Sequence, residues 1–478
     1  MSLKFGTSGV RGLVTEMTDQ ACHRYGLIYA RYLKESAPDT KTVILGGDHR
    51  SSTDRIMAAV ALALEDEGLT VENAAKVPTP TIAIRALETL SGAIMVTGSH
   101  IPEDRNGIKF YMPWGEILKP DEQAMSKALA ILPPSHDSRF DEAGMLNKSH
   151  HLPKENLLSR KAFLDRYLNF FPGDCLKGLR LVVYQHSTVL RELYLEIFKG
   201  LGAEVIPVGW SDTFVPVDTE AVDAPEQLKA WTLEHEADAL ISADGDGDRP
   251  LLVNEKGEVI RGDILGILAS QKLNAKGVAS PVSCNTALEA CGTFPQIQRS
   301  RIGSPFVIAA MEELQKNASG PIVGYEANGG YLTGSPVTLQ GCKGALSPLP
   351  TRDAVLPILA VLFGLKGATL SSLQKALPQR ITDGLLLRGV DLNKASSLLE
   401  NLKEPSSSES KKLEAAFGKP KSIDFTDGTR FTFETGIILH FRPSGNAPEF
   451  RCYIEIGPDD DLETLKNQAE EWLLSFIA

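Results

Sequence analysis

Helix-like and strand-like hydrophobic patterns alternate along much of the chain. Three short apolar runs, at residues 92–97, 239–243 and 321–323, have the length of buried strands, and each ends in a polar, glycine-rich loop. Segments with helical spacing precede these runs, at residues 51–68, 189–201 and 305–315. Because ligands of parallel α/β sheets gather at the carboxyl ends of strands, the three loops are expected to meet at one cleft.

The rest of the chain predicts a different organisation. Residues 133–156 are rich in Pro, Ser, His and charge and are predicted to be a linker. Residues 351–364 are apolar enough for a buried helix, whereas residues 404–410 are polar and predict an exposed loop. Alternating patterns near the C-terminal end predict strands at residues 430–434, 436–441 and 451–456 and a helix at residues 461–476. The last part of the chain is therefore predicted to be an α+β domain.

Composition indicates a soluble protein of several domains. With 478 residues the chain exceeds what one hydrophobic core usually organises, so we expect three or four domains. The net charge is −12 and the sequence has no basic tract, which argues against nucleic acid or a membrane as partner. The N-terminus lacks the apolar core of a signal peptide, and no run approaches the about 20 apolar residues that span a bilayer. Six scattered cysteines without a Cys-x-x-Cys pair predict reduced thiols and a cytoplasmic protein.

The loop after residues 239–243 carries Asp244, Asp246 and Asp248. On an extended backbone these carboxylates project to one side, and two of them about 4 Å apart repel by roughly 4 kcal/mol at an effective dielectric of about 20. A dication would offset that repulsion, and oxygen ligands suit Mg²⁺, Ca²⁺ or Mn²⁺. The alternative is a solvated Asp/Gly turn. An EF-hand is excluded, because Arg249 stands where its loop needs Gly and the flanks predict strands. Beside a metal, Arg249 would instead hold a phosphate.

Two further segments carry candidate catalytic side chains. Ser99 lies on a turn after residues 92–97, but position 101 is Ile, so the Gly-x-Ser-x-Gly elbow of a hydrolase is not formed. Ser99 either caps a turn or, beside a metal, carries a phosphoryl group. Residues 106–110 predict a hairpin turn, and Lys109 there is either a solvated lysine or a proton shuttle.

Two other loops offer groups that suit a phosphorylated sugar. Glu326 and Asn328 lie in a glycine-rich loop and suit vicinal sugar hydroxyls, although an ordinary turn fits them equally well. A phosphate nest is predicted at Arg442, Ser444, Gly445 and Asn446. This segment supplies a guanidinium, a hydroxyl, an amide and flexible backbone N–H groups, which can all donate to a phosphate. The histidines without metal-ligand spacing are interpreted as surface or linker residues, namely His100, His150 and His151.

Five segments, in this order, resemble those of the α-D-phosphohexomutase family. They are FGTSGVRG (5–12), TGSHIPEDRNGIKFY (97–111), DGDGDR (244–249), GYEANGG (324–330) and RPSGNAPEFRCYIE (442–455). Each is moderately specific, but the ordered set covers nearly the whole chain and is highly specific. The resemblance implies an α/β fold with three related mixed α/β domains and a C-terminal α+β domain around a central cleft. The implied domains are a phosphoserine-loop domain (1–145), a metal-binding domain (156–254), a sugar-recognition domain (255–370) and a phosphate-binding domain (380–478).

The resemblance also implies a phosphoserine mechanism. Ser99 would carry the phosphoryl group, and Mg²⁺ would be held by the Ser99 phosphate with Asp244, Asp246 and Asp248. The enzyme would move a phosphoryl group between O6 and O1 of a hexose phosphate through a hexose 1,6-bisphosphate, which is also the expected activator. Mannose phosphates are the favoured substrates, with glucose phosphates as further ones. The alternatives are a phosphoglucosamine mutase, a non-catalytic sugar-phosphate-binding protein and a Ca²⁺-binding protein.

The other candidate residues would surround the reacting sugar. Arg11 and Lys109 would flank the reacting phosphate, with Lys109 as general acid/base and Arg249 as an adjacent support. The sugar hydroxyls would be bound by Glu326 and Asn328, and the second phosphate by Arg442, Ser444, Gly445 and Asn446. The chain departs from the family pattern at Gly98, Ile101, Ser304, Gly330 and Asn446-Ala447. Many members carry His where this chain has Gly330, so such departures bear on which sugar is accepted.

Overall fold

The structure, a computed structural model, describes residues 3–6, 9–133, 137–365, 367–443 and 449–477. Within these residues the strands form four sheets, and helices alternate with the strands along the chain. The predicted α/β fold class is therefore confirmed. The chain divides into two compact units: the first comprises residues 1–279, 294–298 and 303–374, and the second residues 280–293, 299–302 and 375–478. The four implied domain boundaries stay a prediction.

The first sheet contains the strand that leads to Ser99. Its region consists of β1 (Lys4–Phe5), β2 (Val10–Leu13), α1 (Asp19–Ser36), β3 (Thr42–Gly47), α2 (Thr53–Asp66), β4 (Thr70–Lys76), α3 (Thr79–Thr89), β5 (Gly92–Val96), β6 (Arg105–Met112), β7 (Gly115–Glu116) and α4 (Lys119–Ile131). The strand order is β1-β2-β6-β5-β3-β4, with β7 on β6. Tyr29 of α1, Val60 of α2 and Leu45 of β3 are fully buried in one hydrophobic core, which fixes these helices on the sheet.

The second sheet contains the strand that leads to the three aspartates. Its region consists of α5 (Leu158–Leu168), β8 (Arg180–His186), α6 (Arg191–Gly200), β9 (Glu204–Trp210), α7 (Pro225–Glu234), β10 (Ala239–Ala243), β11 (Pro250–Asn254) and β12 (Val259–Ile260). The strand order is β12-β11-β10-β8-β9. Every residue of β10 and β11 is buried, as the continuous apolar runs predict.

The third sheet contains the strand that leads to Glu326. Its region consists of α8 (Gly262–Lys272), β13 (Gly277–Pro281), α9 (Ala287–Ala290), β14 (Gln296–Ser300), α10 (Ser304–Asn317), β15 (Ile322–Tyr325), β16 (Tyr331–Thr333), β17 (Leu349–Asp353), α11 (Val355–Phe363) and α12 (Leu370–Lys375). The strand order is β14-β13-β15-β16-β17.

One local arrangement recurs in these three sheets. A strand with a parallel neighbour, β5, β10 or β15, is followed by a loop and then by an antiparallel partner, β6, β11 or β16. The loop therefore begins at the carboxyl end of a parallel strand in each case. The three predicted polar loops occupy these positions, all within the first unit.

The fourth sheet belongs to the second unit and is wholly antiparallel. Its region consists of β18 (Ile381–Arg388), α13 (Leu392–Asn401), α14 (Ser408–Phe417), β19 (Pro420–Asp424), β20 (Thr429–Phe433), β21 (Ile438–Pro443), β22 (Glu449–Ile456) and α15 (Leu462–Ile477). The order is β18-β22-β21-β20-β19. Burial alternates along β20, so one face of the strand packs on the core and the other is more exposed to solvent.

Three local predictions were wrong. Residues 106–110 lie inside β6 rather than in a hairpin turn: a Cβ on Gly107 would lie 2.6 Å from the Val10 carbonyl oxygen, so this glycine permits a close backbone approach. Residues 351–353 belong to β17, and helix α11 begins only at Val355, where the Asp353 carboxylate accepts from the helix N–H groups. Residues 408–410 begin α14, which Ser407 caps.

In the part of the chain that the structure describes, no helix has both the length and the apolar character needed to cross a bilayer.

Candidate active site

The loop after β5 and the loop after β10 lie against each other. We call them the serine loop (residues 97–104) and the acidic loop (residues 244–249). The Ser99 hydroxyl donates a 2.6 Å hydrogen bond to Asp244 Oδ2, although the two residues are 145 positions apart in the chain. A Cβ on Gly245 would lie 2.8 Å from the Ser99 carbonyl oxygen, so only glycine permits this approach.

Ser99 has an unusual backbone conformation. Its φ of 57° lies in the left-handed region, which a non-glycine residue adopts only when its surroundings impose it. The residue is fully buried, and its backbone N–H donates to Thr97 Oγ1 at 2.8 Å. The serine hydroxyl is therefore held in one place by the protein around it.

Arg50, which the sequence analysis did not single out, is the main support of the serine loop. Its guanidinium donates to three serine-loop carbonyls, those of Ser99 (2.9 Å), Ile101 (2.5 Å) and Pro102 (2.7 Å), and to the carbonyl of Arg105 (3.1 Å) at the start of β6. It also lies 3.2 Å from Asp48 Oδ2 in an ion pair with no exposed surface, and 3.9 Å above the ring of Phe214. A Cβ on Gly98 would lie 2.7 Å from the guanidinium carbon, so Gly98 makes room for this contact.

Asp48 completes this support. Its carboxylate accepts from Thr53 Oγ1 and Thr97 Oγ1, each at 2.7 Å, and from the Arg50 backbone N–H at 3.1 Å. Burial raises the pKa of Asp48, whereas the Arg50 cation acts against that rise. Asp48 and Arg50 come just after β3, which has parallel neighbours. Their position at the carboxyl end of such a strand was the sequence signal that could have marked them as site residues.

Asp244, Asp246 and Asp248 form one buried cluster. Each is fully buried, and one carboxylate oxygen from each lies within 4.8 Å of the others. The backbone here is a tight turn, with Gly247 at a φ of 65°, rather than the extended segment from which we predicted their convergence. The turn is closed by the Asp248 and Arg249 N–H groups, which both donate to Asp244 Oδ1 at 3.2 Å.

Cationic side chains surround the cluster. Lys109 Nζ lies 2.5 Å from Asp246 Oδ2 and 2.7 Å from Asp248 Oδ2. Arg352, which the sequence analysis also missed, donates through Nε to Asp248 Oδ2 at 3.0 Å. Arg249 Nε lies 3.8 Å from Asp244 and 3.7 Å from Asp248. Three cations are therefore within reach of three carboxylates.

The three carboxylates are not equivalent in ionisation. Burial, together with the charges of Asp246 and Asp248, raises the pKa of Asp244 well above its ordinary value. Burial also acts to raise the pKa of Asp246, but the Lys109 ammonium outweighs it, so the pKa of Asp246 lies below its ordinary value. Of Asp244 and Asp246, Asp244 is thus the one whose ionisation an additional cation would favour more.

The cluster fits a hard dication. The Oδ1 atoms of Asp246 and Asp248 are buried and have no hydrogen-bond partner in the described part of the chain. Carboxylate and phosphate oxygens are the donors that Mg²⁺ prefers, and the Ser99 hydroxyl lies beside Asp244. These residues could therefore hold Mg²⁺ together with a phosphate on Ser99.

Arg11 and His100 lie at the edge of the cluster. Burial, followed by Arg249 and Arg352, lowers the pKa of Arg11 to about 10, so the guanidinium remains charged at neutral pH. The interpretation of His100 as a surface or linker histidine was wrong. Its Nδ1 lies 2.8 Å from Arg249 Nη1 and 3.3 Å from Ser99 Oγ, and burial and Arg249 lower its pKa to about 2. A neutral imidazole accepts from Arg249 there.

The loop after β15, residues 326–330, is called the sugar loop. Glu326 and Asn328 are both buried. Arg352 Nη1 donates to Glu326 Oε2 at 3.3 Å, and the same guanidinium reaches Asp248, so Arg352 connects the sugar loop with the acidic loop. Asn328 Oδ1 accepts from the Gly330 N–H at 3.0 Å and shapes the turn.

The predicted phosphate nest is described only in part. Arg442 lies on β21 in the second unit, where its Nε donates to Asp427 Oδ1 at 2.9 Å. Ser444, Gly445 and Asn446 lie outside the described residues.

Comparisons with known proteins bear on this site. Residues 2–130 match the family model described as phosphoglucomutase/phosphomannomutase, alpha/beta/alpha domain I. A phosphomannomutase of Salmonella muenchen is 42% identical over 463 residues, covering 96% of this chain and 93% of the relative. A phosphoglucosamine mutase of Alkalilimnicola ehrlichii is 29% identical over 479 residues, covering 95% of this chain and 93% of the relative. A solved phosphoglucomutase/phosphomannomutase family protein of Burkholderia thailandensis shares the fold, with a TM-score of 0.73 at 20% identity over 98% of this chain and 97% of that one.

Proposed function

This chain belongs to the α-D-phosphohexomutase family, and we propose that it transfers a phosphoryl group between O6 and O1 of a hexose phosphate. The observation that carries the proposal is the Ser99 hydroxyl, which lies 2.6 Å from Asp244 beside a buried cluster of three carboxylates. Phosphoryl transfer depends mainly on positioning and on charge stabilisation, and a fixed hydroxyl among cations and acidic groups provides both.

In the proposed reaction Ser99 carries the phosphoryl group. The bond from phosphorus to Ser99 Oγ breaks as a bond to a sugar hydroxyl oxygen forms, and the proton of that hydroxyl passes to a base. The product is a hexose 1,6-bisphosphate. It returns its other phosphoryl group to Ser99 Oγ, which leaves the isomeric monophosphate and restores the phosphoserine. Added bisphosphate would rephosphorylate any enzyme that has lost its phosphate, so it acts as an activator.

The cations of the cluster have distinct proposed roles. Lys109 is the general acid/base, since its Nζ lies among the acidic groups beside the serine loop. Arg11 and Arg249 stabilise charge on the transferring phosphoryl group, and the neutral His100 holds the Arg249 guanidinium through Nδ1. Mg²⁺, bound by Ser99 phosphate, Asp244, Asp246 and Asp248, would neutralise charge on the phosphoryl oxygens.

Binding the sugar and its second phosphate requires further groups. Glu326 and Asn328 bind ring hydroxyls in this proposal. The phosphate that does not react is held by the segment of the second unit containing Arg442, Ser444, Gly445 and Asn446. The bisphosphate has an anionic group at each end and needs two anion sites, and it must be able to exchange its ends between them.

The favoured substrates are mannose 6-phosphate and mannose 1-phosphate, with glucose phosphates as further ones. Support comes from the 42% identity to a phosphomannomutase, compared with 29% to a phosphoglucosamine mutase. The test is a parallel assay of mannose, glucose and glucosamine 1-phosphates with Mg²⁺ and bisphosphate. The highest kcat/KM is expected on mannose 1-phosphate. The highest value on glucosamine 1-phosphate would assign the alternative activity, and inactivity on all three, with binding retained, would indicate a non-catalytic sugar-phosphate-binding protein.

A further inference from the structure

One nitrogen of the Arg352 guanidinium, Nη2, makes no hydrogen bond among the described residues, although it lies beside the acidic loop. Its side chain is only 4% exposed, and its Nε and Nη1 donate to Asp248 and Glu326. Nη2 lies 2.9 Å from Asp248 Oδ2 in an ion pair, but it makes no hydrogen bond to that oxygen or to any other acceptor among the described residues. A buried guanidinium donor without an acceptor is destabilising, so a ligand atom there would complete its hydrogen bonds.

Gly330 makes the position of Arg352 possible. A Cβ added at Gly330 would lie 2.5 Å from Arg352 Cδ and 2.6 Å from Arg352 Cγ. The arginine side chain therefore runs directly across the sugar loop at Gly330, which has no side chain of its own. A larger residue at position 330 and the present course of Arg352 are mutually exclusive.

The charges around Arg352 indicate the kind of ligand atom. Two carboxylates, those of Asp248 and Glu326, already flank the single positive charge. A further anion would meet these carboxylates, whereas a neutral oxygen would accept from Nη2 without added repulsion. In a sugar phosphate the neutral acceptors are the ring hydroxyls and the single ring oxygen, and the hydroxyls are the more numerous.

We propose that Arg352 Nη2 donates a hydrogen bond to one ring hydroxyl of the hexose phosphate, and that Gly330 provides the clearance for it. Arg352 is then a specificity-determining residue, because a sugar whose hydroxyl does not reach Nη2 leaves a buried donor unpaired. This proposal rests on the proposed function for the choice of a hexose phosphate as ligand.

The test is calorimetric binding of mannose 1-phosphate and its 2-, 3- and 4-deoxy analogues to the full-length wild type and to Arg352→Lys. For mannose 1-phosphate the substitution should raise Kd by about tenfold to a hundredfold, the range for a hydrogen bond from a charged group. For one deoxy analogue the substitution should change Kd less than threefold. An equal loss for all four ligands would mean a phosphate contact and would overturn the proposal, as would no loss for any.

A double-mutant cycle tests the clearance role of Gly330. Gly330→Ala should weaken binding of mannose 1-phosphate, and this effect should disappear in the Arg352→Ala background, where nothing is displaced. Equal effects of Gly330→Ala in both backgrounds would refute the pairing. Gly364→Ala is the matched control, because its Cβ would likewise lie 2.5 Å from a basic side chain, that of Lys272. This control should lower stability but not affinity.

Binding separates this proposal from the proposed function. If the wild-type protein binds mannose 1-phosphate but does not turn it over, the mutase activity is refuted. The binding data for the deoxy analogues would then still decide whether Arg352 contacts a ring hydroxyl. Wild-type protein that binds none of the four ligands would overturn both.

Discussion

The serine loop and the Arg442 side chain have very different contacts within the described part of the chain. Arg50 donates to three carbonyls of the serine loop and to a fourth at the start of β6, and it makes a fully buried ion pair. Among the described residues Arg442 makes one ion pair, to Asp427, and its side chain is 23% exposed. The Ser99 hydroxyl must attack phosphorus in line in the proposed reaction, so it needs a fixed position. A side chain that holds the second phosphate must also release it when the bisphosphate exchanges its ends. We therefore expect changes at the first to lower kcat and changes at the second to raise KM.

The largest effect is expected from Ser99→Ala. Without the hydroxyl there is no phosphoryl carrier, so turnover should fall by about 10⁴-fold or more. Intact-mass spectrometry should show one phosphate on the bisphosphate-treated wild type and none on the variant. Ser270→Ala, a buried hydroxyl that donates to the Gly266 carbonyl, is the control and should keep its turnover. Wild-type turnover by the variant would refute the phosphoserine mechanism.

Removal of divalent metal should have the next largest effect. Chelation should lower turnover by about a thousandfold, because the charge on the transferring group then lacks a dication worth several kcal/mol. Added Mg²⁺ should restore the rate. Binding of Mg²⁺, measured by calorimetry, should be lost in Asp246→Asn. Tight Ca²⁺ binding with no influence on phosphoryl transfer would favour a calcium-binding protein instead.

Arg50→Lys should have an intermediate effect. A lysine cannot reach four carbonyls at once, so the serine loop would shift, and a displacement of about 1 Å can reduce a rate about a hundredfold. We expect kcat to fall by that factor while KM changes less than about threefold. The control is Arg55→Lys, which alters the Arg55–Asp19 ion pair in the same unit without touching the serine loop. A rise in KM with kcat unchanged would contradict the positioning role.

The smallest effect is expected at Arg442. Arg442→Lys keeps the charge but loses the planar fork, so KM should rise about tenfold while kcat stays within about twofold. Arg380→Lys is the control, because Arg380 pairs with Glu455 in the same unit. A fall in kcat as large as that of Arg50→Lys would remove the distinction between the two regions.

Strand patterns made the loops after β5, β10 and β15 predictable, because short apolar runs and glycine-rich ends are local signals. The structure places Ser99, Lys109 and the three aspartates together, as the cleft hypothesis required. The positions of Ser444, Gly445 and Asn446, and the catalytic roles of all these residues, remain predictions.

The supporting residues were harder to find. Asp48 and Arg50 form a short charged pair after β3, and nothing local shows that they reach a loop about fifty positions away. Arg352 was assigned to a helix because its neighbours are apolar, although consecutive charges at Arg352 and Asp353 within that run were a signal. His100 was misjudged because its environment comes from Arg249, which is 149 positions distant. Long-range contacts of this kind leave no periodic pattern in sequence.

If Ser99 carries the phosphoryl group as proposed, its complete burial limits how it can first receive a phosphate. A protein kinase threads an accessible, extended segment through its own cleft, and a hydroxyl with no exposed surface on a left-handed turn cannot be presented in that way. Under the proposed mechanism the initial phosphate would have to come from a donor small enough to diffuse to the acidic loop. The activation state of this protein would thus follow the cellular level of sugar bisphosphates and be independent of kinase signalling.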